Sequence, residues 1–267
     1  MKKRRADWHS AQQLLPWILP VICLIGWLLI AEADLVPGYL LPHPRDILRS
    51  AAVYIFAEPG TVPYAGRFFS DLQASTIRVF LGFALAVLLG LPLGVVSGRM
   101  AIVNRMLETS VNALRAVPGI CWLPLAMIWF GIGLKTTIFL VALAAFFPIY
   151  LNAEAGARQV NPLLLQAGAM MGVRRLRGTF AVLLPAAMPH IMTGLRLGLG
   201  ISWAYLVLGE LTGVPNGLGA VIMDARMLGR IDIIVVGIIL IALIGRLSDV
   251  GLRLLLRLCF RSARRIS

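Results

Sequence analysis

The chain has 267 residues, 59% of them hydrophobic and 14% charged, with a mean hydropathy of +0.86 and a formal charge of +13. A soluble domain carries about 25% charged residues; this chain has too few to cover a water-facing surface, so lipid is the solvent for most of it. The basic excess does not mark a nucleic-acid binder, because the cations gather at the ends of apolar stretches and form no single basic domain.

A bilayer core about 30 Å thick needs roughly 20 apolar residues in a helix. Four runs contain no charge at all: 14–31, 79–98, 116–134 and 136–153. Two more, about 180–211 and 232–256, are apolar around isolated charges, Arg196 in the first and Arg246 and Asp249 in the second. The expectation is an all-α, polytopic membrane protein with six transmembrane helices. The first run, flanked by Lys2, Lys3, Arg4 and Arg5 and by Ala31-Glu32-Ala33, also has the outline of a signal peptide. An h-region is usually 7–15 residues long, so a retained anchor is the preferred reading.

Residues 34–71 are rich in turn formers (Pro37-Gly38, Pro42, Pro44, Pro59-Gly60, Pro63) with a helical patch near 45–56, which predicts an ordered surface segment. Gly82, Gly90, Gly94 and Gly98 recur at intervals of four or eight. That spacing makes a small-residue seam for tight helix packing, within the chain or between two copies. The connection 154–179 is the longest loop on its side. The expected division is 1–68 (N-terminus, first span and outer segment), 69–256 (a five-helix core) and 257–267 (a basic tail).

Orientation follows from the lysines and arginines flanking the spans. With the N-terminus inside, the inner side receives Lys2, Lys3, Arg4, Arg5, Arg99, Arg105, Arg158, Arg174, Arg175, Arg177, Arg257, Arg261, Arg264 and Arg265. The outer side receives Arg45, Arg49, Arg67, Lys135, Arg226 and Arg230. Both termini are therefore expected on the inner, cytoplasmic side of the membrane.

Catalytic chemistry finds little support. Cys23, Cys121 and Cys259 lie in apolar segments without C-x-x-C spacing, and His9, His43 and His190 are scattered, so neither a disulfide framework nor a metal site is expected. Gly131-Ile-Gly-Leu-Lys135-Thr136-Thr137 has the outline of a phosphate loop but lacks G-K-[ST] and a preceding strand. No cofactor is expected on this chain.

Charges within apolar segments are the candidate pathway residues: Arg115 at the start of the third run, and Arg196 and Glu210 in the fifth. A charge at the bilayer centre costs at least ~2.5–3.5 kcal/mol, so it faces a cavity or a partner. Arg115 or Arg196 could attract an anion; equally, Arg115 could snorkel, and Arg196 could pair with Glu210 or with another helix. Arg246, Asp249 and Arg253, spaced three and four apart on one helix face, favour mutual neutralisation.

The loop 154–179 carries Gln166-Ala167-Gly168-Ala169-Met170-Met171-Gly172, then nine residues, then Val182-Leu183-Leu184-Pro185. Asn161 is suited to cap a helix with Pro162 in its first turn, and Gly172 to end it in a left-handed turn. The small residues Ala167, Gly168 and Ala169 would let another protein approach the backbone closely. This segment resembles the "EAA" loop of bacterial ABC importer permeases: EAA, three residues, Gly, nine residues, Ile, one residue, Leu-Pro. Gln166 stands for Glu, Gly168 for the second Ala and Val182 for Ile.

Further stretches resemble the taurine/alkanesulfonate/nitrate branch of that family: Leu114-Arg115-Ala-Val-Pro118, Trp122-Leu-Pro-Leu-Ala-Met-Ile-Trp-Phe-Gly131, Leu195-Arg-Leu-Gly-Leu-Gly-Ile-Ser-Trp203, Gly217-Leu-Gly219 and Leu41-Pro-His-Pro44. The resemblance implies a type I ABC importer permease fold and a coupling helix over about 161–172. It makes Gln166, Ala167, Gly168, Gly172, Leu184 and Pro185 the ATPase-coupling residues. It also implies two ATP-hydrolysing subunits carrying ATP and magnesium, a second permease copy, a soluble binding protein at the outer face, and a small anion as solute. The competing readings are a gradient-driven secondary transporter and a lipid-modifying membrane enzyme. The first would show paired ionisable residues at midspan, the second clustered polar catalytic residues.

Overall fold

The computed structural model describes residues 2–33, 36–38 and 40–259. The tail cations Arg261, Arg264 and Arg265 lie outside the described residues. Every regular element is helical in the described part: α1 (Lys2–Glu32), α2 (Pro44–Phe56), α3 (Phe68–Arg99), α4 (Ala101–Ala116), α5 (Trp122–Phe130, preceded by a 3-10 turn at Gly119–Cys121), α6 (Leu134–Gln159), α7 (Pro162–Met170), α8 (Arg175–Gly178), α9 (Leu184–Glu210), α10 (Leu218–Met227) and α11 (Ile231–Cys259).

Among the described residues, four stretches are long and apolar enough to cross a membrane: Phe68–Arg99, Leu134–Gln159, Thr179–Glu210 and Ile231–Leu258. The expectation of six continuous helices needs correcting in one place. The charge-free run 14–31 lies within the continuous helix α1. The predicted third span, 116–134, is helical only over Gly119–Phe130, and α4, which precedes it, meets that segment across a break at an angle of 81°. Pro118 causes the break, since it offers no N–H and drives Val117 into extended backbone at φ −75°, ψ 119°. Gly131 and Gly133, at φ 72° and 138°, then end α5 and release α6.

The chain forms two compact units, Met1–Gly66 with Asp224–Val236, and Arg67–Met223 with Gly237–Ser267. In the first, Pro44 occupies the first turn of α2 and His43 Nδ1 accepts from the Arg45 N–H at 3.2 Å. Ser50 of α2 donates to Asp232, whose carboxylate also accepts from Arg230 Nε and Nη2 at 3.0 and 2.8 Å. That paired carboxylate holds the Arg230 guanidinium above its ordinary pKa. The guanidinium stacks 5.4 Å from the centre of the Tyr64 ring.

In the second unit α6 is packed between α3 and α9, and glycines set both approaches. A Cβ at Gly94 of α3 would lie 2.5 Å from the Tyr150 carbonyl, and one at Gly82 would lie 2.6 Å from Val141. From the other side, Gly194 and Gly198 of α9 abut Asn152 and Ile149. The Gly82–Gly98 seam is therefore an intrachain packing surface, not a face for a second copy. At the start of the last span but one, Pro185 cannot donate to the turn before it. The backbone widens into a π turn over Thr179–Leu183, and the Leu184 N–H reaches back to the Thr179 carbonyl.

Candidate functional site

The loop helix α7 is built by local chemistry at both ends. Asn161 Oδ1 accepts from the Leu163 N–H at 2.9 Å, and Pro162 fills the first turn. At the other end Gly172 adopts φ 78°, the Val173 N–H reaches the Gly168 carbonyl at 3.0 Å, and the Gly172 N–H reaches Ala169 at 3.0 Å. That pair of bonds is a Schellman cap. Gln166, Ala167, Ala169 and Met170 are exposed. Gly168 is not: it is buried, and a Cβ there would touch Val182 at 3.4 Å. Gly168 thus seats α7 on the π turn that leads to Leu184 and Pro185, and the outward approach belongs to Ala167 and Ala169. Leu163, Leu164, Met170 and Met171 complete an exposed apolar face, Met170 being 91% exposed.

Arg115 stands in the last turn of α4, where the helix C-terminus favours a cation. It lines an open cleft of about 500 Å³ with Trp122, Phe147, Pro148 and Tyr205. The Tyr205 ring lies so close to Gly119 that any side chain there would overlap it. Arg115 has no ion-pair partner among the described residues, so its charge is available to a ligand. The arrangement is one cation in an aromatic and aliphatic enclosure, suited to a small anion with an apolar body.

The other two pathway candidates are placed differently. Arg196 pairs with another helix, its Nε donating to Asp249 of α11 at 2.8 Å; it does not meet Glu210. Asp249 also accepts from Arg253 at 2.7 Å and from Arg246 at 3.4 Å, which realises the neutralisation expected along α11. Trp203 Nε1 adds a bond to Ser248 at 2.9 Å on the same seam.

Glu210 is fully buried and tied to residues that sequence reasoning missed. Its oxygens accept from Arg78 Nη1 at 2.5 Å, Ser75 Oγ at 2.8 Å and the Gly219 N–H at 2.8 Å. Arg78 also donates to the carbonyl and side chain of Asn216, both at 2.7 Å, and Asp71 accepts from the Gly217 N–H at 2.9 Å. These bonds clamp the turn 211–217 onto α3 and the end of α9, leaving Glu210 no open face. Arg78 sits immediately before the charge-free run 79–98, and that position beside a lone buried acid was the available signal.

The model of the binding-protein-dependent transport system inner membrane component family matches residues 86–259. The taurine transport system permease protein TauC of Escherichia coli is 35% identical over 96% of this chain and 94% of its own length. A Bacillus subtilis protein named as an aliphatic sulfonates transport permease, SsuC, is 36% identical over 90% of this chain and 84% of its own. Among solved structures, inward-facing MetNI methionine ABC transporter matches with a TM-score of 0.58 at 22% identity, covering 70% of this chain and 94% of that one, which shows a shared fold. The chain belongs to the family of binding-protein-dependent transport system inner membrane components, and it is the multi-pass permease subunit of an ATP-binding-cassette importer, a transport subunit and not an enzyme.

Proposed function

We propose that this permease moves a small anion of the sulfonate, taurine or nitrate class into the cytoplasm by alternating access, driven through α7. In this reading both termini face the cytoplasm. Two copies of the chain frame the pathway, and a soluble binding protein delivers solute to the outer face. Two ATP-hydrolysing subunits, which carry ATP and magnesium, grip the α7 helices. The observation that carries it is α7 itself: nine residues fixed at both ends by their own caps, with Ala167 and Met170 turned outward and Gly168 turned in. A rigid, small-residue helix transmits a push where a floppy loop would absorb it. The names of TauC, SsuC and the Synechocystis nitrate import permease protein NrtB support the anion class, as does the unpaired Arg115 in its cleft.

The test is co-purification of the tagged chain with its ATPase from the native host. Ala167→Arg places a long cation on the exposed face without touching the Gly168–Val182 seat, and should abolish recovery of the ATPase while the permease stays folded. Undiminished recovery would remove α7 from the coupling interface. A wild-type chain that is stable and yet recovers no ATPase would favour a gradient-driven carrier.

A further inference from the structure

On the seam between α9 and α11, three guanidiniums share one carboxylate. Asp249 accepts from Arg196 at 2.8 Å, Arg253 at 2.7 Å and Arg246 at 3.4 Å, so the cluster carries two uncompensated positive charges. Among the described residues the other carboxylates of the second unit are engaged elsewhere: Glu210 pairs with Arg78, Glu154 with Arg158 and Asp71 with Arg67, and Glu108 accepts from Asn104. The Arg253 Nε is sealed from solvent with no partner.

The surroundings are apolar. Arg246, with 67% of its side chain exposed, shares its side of α11 with the exposed Leu243, Leu247 and Val250. Of the four long spans, Ile231–Leu258 is the one with the smallest buried share, 17%. The three guanidiniums meet at Asp249, nine residues before the end of that span; the span's 28 residues are about 42 Å long against a core of about 30 Å, which leaves the cluster roughly 8 Å inside the boundary. A long side chain at that depth reaches the headgroup layer.

We propose that this cluster binds the phosphate of an acidic phospholipid whose acyl chains lie along the Leu243–Val250 face. Two excess cations in an apolar setting call for an oxyanion, and guanidinium forks match the oxygens of a phosphodiester. A zwitterionic lipid brings its own ammonium and neutralises nothing. A soluble phosphate or sulfonate offers the same oxygens but no chains for the leucine face.

The experiment uses the full-length chain purified in mild detergent with an equimolar mixture of dioleoylphosphatidylglycerol and dioleoylphosphatidylcholine, bound lipid being counted by native mass spectrometry. The wild type should retain phosphatidylglycerol preferentially. Each arginine near a lipid surface contributes roughly five-fold in binding. Arg246→Gln should therefore lower retention about five-fold, and Arg246→Gln with Arg253→Gln further, while Arg246→Lys keeps most of it and Lys135→Gln changes nothing. Equal retention across these variants overturns the proposal. Displacement of phosphatidylglycerol by millimolar inorganic phosphate or methanesulfonate also overturns it, assigning the cluster to a soluble anion.

Discussion

Removing Arg78 tests how the second unit is held together. Glu210 is fully buried, and with Arg78→Met it would keep the Ser75 hydroxyl and the Gly219 N–H but lose its countercharge. The Asn216 carbonyl and side chain would lose their donors at the same time. Breaking a buried pair by removing one partner costs about 3–5 kcal/mol, because the remaining charge is left uncompensated in a low-dielectric setting. The double variant Arg78→Met/Glu210→Leu removes both charges and keeps the volume, so most of the loss should be recovered. The assay is reversible unfolding in mixed micelles by sodium dodecyl sulfate titration, with Gly26→Ala as a reference, since nothing lies within 4 Å of a Cβ at Gly26. An Arg78→Met loss below about 1 kcal/mol, in the range of exposed ion pairs, would refute the reasoning. A double variant no better than the single would refute it equally.

Three further outcomes are expected. Gly94→Ala forces a methyl to 2.5 Å from the Tyr150 carbonyl, so α3 and α6 must separate, and a loss of about 1–3 kcal/mol is expected in the same titration. Asp249→Asn leaves Arg196, Arg246 and Arg253 without a carboxylate; folded yield in the membrane should fall by more than for Arg246→Gln, read by fluorescence-detected size exclusion. Arg115→Gln should raise the half-saturating concentration for anion uptake at least five-fold in proteoliposomes while ATPase recovery on the tagged chain is unchanged; unaltered uptake would take Arg115 out of the pathway.

Much of the candidate site was legible in the chain because it is made by neighbours in sequence. Asn161-Pro162 and the Gly172 turn act through bonds between residues two to five positions apart, so the start and end of α7 needed no tertiary information. The arginines of α11 flank Asp249 for the same reason: three and four residues bring side chains together on any helix. The break in the third span was also written locally, in Val117-Pro118, but hydropathy hid it. A window that counts charges sees an uninterrupted run from 116 to 134, whereas the backbone responds to the missing N–H.

What the sequence by itself determined is the solvent, the helical class, the approximate spans and the capped helix between two of them. Each follows from composition or from bonds closed within a few residues. Only the tertiary structure decided the partners of the buried charges, because a charge in an apolar segment demands a partner without naming one. Glu210 finds Arg78 and Arg196 finds Asp249 across separate helices. The direction in which small residues face was decided the same way. Gly94 meets α6 and Gly168 meets Val182 because neighbouring backbones come within reach of a missing side chain, and that approach exists only once the helices are packed.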